Sequence, residues 1–204
     1  MVEQRPARGT DEQYFTADPS VPFERETFET VVWGNRLRLT SGSGVYAKGR
    51  LDLGTGVLLE EEPPAAGRVL DLGCGYGVIG LAIAKASPET TVVGVDVNER
   101  AVRLATENSK ALGLADRCIF TTGAVDGEFD EIWSNPPIRI GKEALHALLL
   151  QWLPRLKPGG RAVMVVGRNL GSDPLQRWLI EQGYPTERVG SSKGFRVLET
   201  RPSG

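Results

Sequence analysis

The stretch "VLDLGCGYGVIG", residues 69–80, constrains the fold more than any other part of the chain. It starts as a short apolar strand ending at Asp71-Leu72. Gly73, Gly75 and Gly77 follow at alternate positions, and an apolar helix pattern begins directly after them. Glycine is required where the backbone takes φ above zero, or where a ligand approaches without a Cβ in the way. A strand feeding a helix through such a turn opens a parallel βα unit. The carboxyl end of the first strand is where doubly wound sheets bind ligands. Gly75, Gly77 and Gly80 also match G-x-G-x-x-G, with Asp96 closing the next strand about twenty residues on. Taken alone, this pattern is compatible with a dinucleotide site, or with a tight turn and a solvent-facing Asp96.

Strand and helix patterns alternate from there onward. "RVLDL", "TTVVGVD", "RCIFTTG", "FDEIWS" and "RAVMVVG" read as strands. "VIGLAIAKA", "NERAVRLATENSKALG", "KEALHALLLQWLPRL" and "DPLQRWLIEQG" read as helices. The second helix takes Asn98 as N-cap and closes on Gly113, and the third runs through Leu156 until "KPGG" stops it. "TERVGSSKGFRVLE" reads as a terminal hairpin. Upstream, "VVWGNRLRLT" has the alternation and the turn of another hairpin. "SGSGVYAKGR" is a glycine-rich loop, and a short helix is entered near Asp52. The expected fold is α/β: a Rossmann-like, seven-stranded, mostly parallel sheet with helices on both faces. An antiparallel C-terminal hairpin and an N-terminal β-hairpin extension complete it. Residues 1–22 are polar, lack apolar period and are expected to form a loosely held arm. Residues 23–204 are expected to form one domain.

Composition narrows the function classes. The 204 residues suffice for one full core. Apolar runs fall well short of the ~20 residues that cross a bilayer, and the polar start has no secretory h-region. A membrane partner is therefore not expected, and the cytoplasm is the expected compartment. Two cysteines, Cys74 and Cys118, and one histidine, His146, offer no metal-ligand spacing. The net charge of −2 lacks the strong basic excess of proteins that grip bare nucleic acid. Any nucleic-acid substrate is then recognised by a local basic face or by shape.

The run D-x-G-x-G-x-G from Asp71 resembles motif I of class I S-adenosylmethionine (SAM)-dependent methyltransferases. The resemblance implies a SAM site built by Asp71, Gly73, Cys74, Gly75 and Gly77, with Asp96 and Val97 at the end of the next strand. In that family this acid accepts hydrogen bonds from both ribose hydroxyls, as one carboxylate can. "SNPPIR" then falls at the mouth of the same crevice. It resembles the [DNS]-P-P-[YFW] motif that holds an amine for methylation. By this likeness Asn135 and Pro136 offer two carbonyl acceptors, with Pro136 and Pro137 fixing the backbone in advance. No side-chain base is required. Cys74 reads as a filler of the turn rather than a nucleophile.

Three further stretches, "GVYAKGRLDLGTGVLL", "FDEIWSNPPIRIGKEAL" and "SSKGFRVLE", resemble the methyltransferase small domain group, specifically the 16S ribosomal RNA guanine-N2 methyltransferases. The likeness spans roughly residues 30 to 200. It implies cofactor contacts from Gly49, Leu51, Asp52, Gly54, Thr55, Ala124 and Asn135. Asp52 reads equally as a helix N-cap. Ile138 and Arg139 are the expected substrate-binding residues, and ribosomal RNA or the small ribosomal subunit, rather than DNA, the expected partner. Arg50, Lys48, Lys142 and Arg168 are further candidates for phosphate contact or plain surface charge. Trp33, Tyr46 and His146 read as packing residues. Two departures stand out: one domain where such enzymes often have two, and Ile138 where an aromatic usually stacks. A protein glutamine N-methyltransferase and a non-catalytic SAM-binding partner of an RNA-modifying complex are the competing readings.

Overall fold

The computed structural model describes residues 23–45, 49–64 and 66–202. The expected arm over 1–22, and the candidates Tyr46 and Lys48, lie outside the described residues. Two strands come first, β1 (Arg25–Val32) and β2 (Asn35–Gly42), then α1 (Leu53–Leu58). The alternating part runs β3 (Ala66–Leu72), α2 (Val78–Ala86), β4 (Glu89–Val95), α3 (Glu99–Ala111), β5 (Cys118–Thr121) and β6 (Phe129–Ser134). It continues with α4 (Lys142–Trp152), β7 (Leu156–Gly167), α5 (Ser172–Glu181), β8 (Thr186–Ser192) and β9 (Phe195–Thr200).

The main sheet has the order β5-β4-β3-β6-β7-β9-β8. Strands β3 to β7 pair in parallel, and β9 pairs antiparallel with both β7 and β8. The chain steps outward from β3 to β5 and returns on the other side of β3 as β6. The order therefore reverses between β3 and β6, and a crevice opens at their carboxyl ends. This is the Rossmann-like sheet expected, with its C-terminal hairpin.

Both faces of the sheet are buried, so its strands are apolar at consecutive positions. Val69, Val92, Trp133, Val163, Val165 and Val197 face the helices α1 to α3. Leu70, Leu72, Val93, Val95, Ile132, Met164, Val166 and Leu198 face α4 and α5. The split follows the period of two along each strand.

The β1–β2 hairpin packs on the α2–α3 side. Its register, ending at Val32↔Asn35, leaves Trp33-Gly34 as a two-residue loop. Both loop residues have positive φ, 47° and 75°, which matches the twist of a tight hairpin. For a tryptophan that backbone is strained, and tertiary contacts hold it. Nε1 donates to the Glu61 carbonyl at 2.9 Å, and the ring packs edge-on against Trp133. Leu37 and Leu39 are fully buried, each contributing about 1.5–3 kcal/mol.

One boundary differs from the sequence reading. Helix α4 ends at Trp152, not Leu156. A 3-10 turn over Leu153–Arg155 follows, and "KPGG" lies inside β7 rather than after a helix. Pro154 has no N–H to continue the i→i−4 ladder, so the helix stops before it. The β6–β7 register jumps between Phe129↔Leu156 and Glu131↔Arg161, and the extra residues form a bulge.

Candidate active site

The glycine turn after β3 has left-handed φ at all three alternate positions: 74° at Gly73, 55° at Gly75 and 89° at Gly77. Their roles differ. A Cβ on Gly75 would meet nothing within 4 Å, and one on Gly73 only Pro137, at 3.9 Å. Both residues line a cavity of about 550 Å³ at the carboxyl ends of β3, β4 and β6. A Cβ on Gly77 would instead meet Ala105, Phe120 and Leu81 at 3.0–3.2 Å. Gly77 is the N-cap of α2, and its bareness serves packing.

Backbone hydrogen bonds tie this turn to β4. The N–H groups of Gly73 and Cys74 donate to the Val95 carbonyl at 2.9 and 3.0 Å. Gly75 N–H donates to Asp96 Oδ2 at 2.9 Å, and Asn98 N–H to Asp96 Oδ1 at 2.9 Å. Burial pushes the Asp96 carboxyl up, and the amides of Asn98, Gly75 and Val97 oppose that. The carboxylate keeps acceptor capacity for a ligand hydroxyl beyond these amides. Asn98 caps α3 through its side-chain oxygen and donates to the Gly44 carbonyl at 2.7 Å. It joins the acid-bearing loop to the loop after β2.

Asp71 behaves differently from expectation. It is fully buried and does not line the cavity; its Oδ2 accepts the Gly80 N–H at 2.9 Å inside the β3–α2 joint. Burial raises its carboxyl to about 7, with the Gly80 amide opposing and Asp96 adding to the rise. Cys74 does line the cavity, but its thiol is buried and pushed well up by burial and by both carboxylates. It is therefore no nucleophile.

Across the crevice, Ser134 ends β6 with its hydroxyl donating to the Leu72 carbonyl at 2.7 Å. Asn135 follows. Its Nδ2 donates to Asp52 Oδ2 at 2.9 Å and to Thr55 Oγ1 at 3.0 Å. Asp52 also caps α1 by accepting the Thr55 N–H at 2.9 Å. The two expectations for Asp52, helix cap and site residue, thus coincide in one carboxylate. Pro136 and Pro137 form a γ-turn in which Ile138 N–H donates to the Pro136 carbonyl at 2.8 Å. Pro137, at φ −74° and ψ 73°, is its centre. The Pro136 carbonyl therefore has one lone pair in use and one left.

Cys74, Asp96, Val97, Ala124, Thr55, Asn135, Pro136, Pro137, Ile138 and Arg139 line the same cavity as Gly73 and Gly75. Gly54, Gly77 and Asp71 do not. Gly54 is bare because a Cβ there would stand 2.9 Å from the Phe195 ring. Arg50, Lys142 and Arg168 also stand off the cavity wall. The structure adds walls that sequence reading missed: Leu148, Gln151 and Trp152 from α4, Val165 and Gly167 from β7, and Leu170 and Phe195 beyond. Phe195 had one signal, its place just after the Lys193-Gly194 turn, but nothing local aims it at the cavity. His146 lies outside this cavity, stacked on Trp178 with ring centroids 3.5 Å apart. Burial and Lys142 push its pKa down.

The donor set suits a nucleoside-bearing cofactor. The bare Gly73 and Gly75 offer a cradle that a Cβ would fill, Asp96 offers carboxylate acceptors, and Ala124, Val125 and Leu148 add an apolar wall.

Comparison with known proteins accords with this geometry. Residues 36–199 match the methyltransferase small domain model. The chain is 34% identical to the uncharacterized protein YbxB of Bacillus subtilis, over 93% of this chain and 98% of that one. It is 37% identical to ribosomal RNA small subunit methyltransferase C of Pseudomonas entomophila, over 84% of this chain and 53% of that one. It therefore spans about half the length of the curated relatives that carry that name. Among solved structures, the T. thermophilus 16S rRNA N2 G1207 methyltransferase in complex with AdoMet and guanosine superposes with a TM-score of 0.75. That match has 25% identity and covers 90% of this chain and 52% of that one. With a Rossmann-like methyltransferase fold and a family match over most of its length, the chain belongs to the methyltransferase small domain family.

Proposed function

We propose that this protein is a SAM-dependent N-methyltransferase that methylates the exocyclic N2 amine of a guanine in small-subunit ribosomal RNA. The observation that carries the reading is the Asn135 amide. It lines the cavity of the glycine turn and Asp96, and both its hydrogens are taken up by Asp52 and Thr55. Its oxygen is left to accept. Support for the RNA substrate comes from the relatives and the solved neighbour named above.

Gly73 and Gly75 would leave room for the cofactor's methionine end, and Asp96 would accept from its ribose hydroxyls. SAM supplies a methyl group on a sulfonium, an electrophile that needs no further activation. The poor partner is the amine, whose lone pair is delocalised into the base. Asn135 Oδ1 and the second lone pair of the Pro136 carbonyl each accept one N–H. They aim the nitrogen and stabilise the positive charge that grows on it. The proton leaves after transfer, without a side-chain base. Ile138, Leu170 and Phe195 border the space for the base; Phe195 offers the aromatic face that Ile138 lacks. Arg139, exposed at the mouth, meets the phosphate backbone. A ribosomal substrate would place the protein in the cytoplasm.

The test is transfer of labelled methyl from SAM to small subunits and to naked 16S RNA from a strain lacking the gene, followed by nucleoside mass spectrometry. The expected product is N2-methylguanosine. Label in a protein glutamine would move the substrate to the competing class. No transfer to either would leave the SAM-binding partner.

A further inference from the structure

We infer that Asp52 is a positioning residue for Asn135, locking its side-chain amide in the one orientation that can accept from a target amine. The inference rests on the proposed role of Asn135 and names what enforces it. An asparagine amide is nearly symmetric in shape but opposite in hydrogen bonding at its two ends. Flipped, it would offer N–H groups to an amine that also offers N–H groups, and the site would repel its substrate.

The flip is excluded by chemistry. Asp52 Oδ2, 2.9 Å from the amide, is a carboxylate oxygen that also accepts the Thr55 N–H. It therefore selects the NH2 end. Thr55 Oγ1 takes the other hydrogen at 3.0 Å. That hydroxyl lies 3.4 Å from the same Asp52 oxygen, oriented to donate to it, so its lone pair faces Asn135. Asp52 is itself held by its cap on α1, through the Thr55 N–H at 2.9 Å. Residues 83 and 80 positions away in the chain thus hold the amide at both hydrogens. The helix cap and the reacting loop share one carboxylate. Movement of the α1 entry loop would release the amide.

Asp52→Ser separates the two duties. Serine caps helices well, but its oxygen falls about one bond short of Asn135. Asp52→Asn keeps an acceptor at the same reach without the charge. The expected result is a kcat loss of about 10- to 100-fold for Asp52→Ser, read at saturating SAM. Asp52→Asn should lie between Asp52→Ser and wild type. The assay uses labelled SAM with 16S RNA and small subunits from the deletion strain. In an Asn135→Ala background, Asp52→Ser should add almost nothing, because the group it orients is gone. An independent readout is the Asn135 side-chain amide pair in 15N NMR, which should lose its two-sided hydrogen bonding in Asp52→Ser. An Asn135→Ala loss with a silent Asp52→Ser, or losses that multiply, would overturn the positioning role alone. An Asn135→Ala protein with full transfer would sink the Asn-Pro-Pro reading, and this inference with it.

Discussion

Gly75 donates its backbone N–H to Asp96 Oδ2 at 2.9 Å, across 21 positions of sequence. The bond closes the floor of the cavity. One residue is bare so that a ligand can approach, and the other is acidic so that a ligand's hydroxyls are received. The first two predictions follow from this pair.

Removing the acid should weaken the cofactor. Asp96→Ala deletes charged acceptors that also order the Gly75 and Asn98 amides. SAM affinity should fall about 10- to 100-fold, as expected for hydrogen bonds to a charged group. Isothermal calorimetry measures it, and an unchanged dissociation constant would rule out Asp96 as the ribose acceptor.

The alternate glycines should separate in behaviour. Gly75→Ala introduces no clash and pays only the left-handed backbone penalty of about 1–2 kcal/mol, yet its methyl enters the cavity and should abolish SAM binding. Gly77→Ala pays the same penalty and also presses on Ala105 and Phe120. It should lower Tm further than Gly75→Ala. Thermal unfolding and calorimetry on the pair check both halves; equal Tm losses would contradict the assignment of Gly77 to packing.

Asp71 should make stability depend on pH in an unusual sense. In the unfolded chain it ionises near 3.8, whereas burial holds the folded carboxyl up to about 7. Between these values the unfolded state binds fewer protons, so this residue's contribution falls as pH rises from about 4 to about 7 and stays low above that. Asp71→Asn keeps an oxygen for the Gly80 amide and removes the titration. The Tm of the variant relative to wild type should therefore climb across that window. A difference that stays flat with pH would refute the raised value.

Asn108 should be a stability residue and not a binding one. From α3 it accepts from Thr40 N–H and donates to the carbonyls of Thr40 and Tyr76. It is buried and joins the N-terminal hairpin to the glycine turn. Asn108→Ala leaves three backbone groups short of partners. It should destabilise by about 2–4 kcal/mol, read by urea unfolding. A loss under about 0.5 kcal/mol would mean that water replaces the side chain.

The elements legible before folding are those whose signals are local. Glycines 73, 75 and 77 must take left-handed backbone wherever the chain goes, and the apolar runs of β3, β4, β6 and β7 are long enough only for a sheet buried on both faces. Asn98 next to "ERAV" is a cap on any account. Together they determine the alternation, the switch point between β3 and β6, and the crevice with Asp96 and Asn135 at its rim. Two signals misled. "KPGG" looks like a helix stop, yet the break is Pro154, and the glycines serve a bulge in β7. Asp71 begins a ligand motif, yet its side chain turns into the β3–α2 joint because strand alternation points it to the face opposite its neighbours Leu70 and Leu72. What only tertiary structure decided is which distant groups meet. Phe195 reaches the cavity because β9 lies beside β7, and Asp52 meets Asn135 because α1 packs against β7 and β9. Residue types and spacing specify local backbone and face; pairing across 80 residues is specified by how the whole core closes, and no short stretch of sequence carries that.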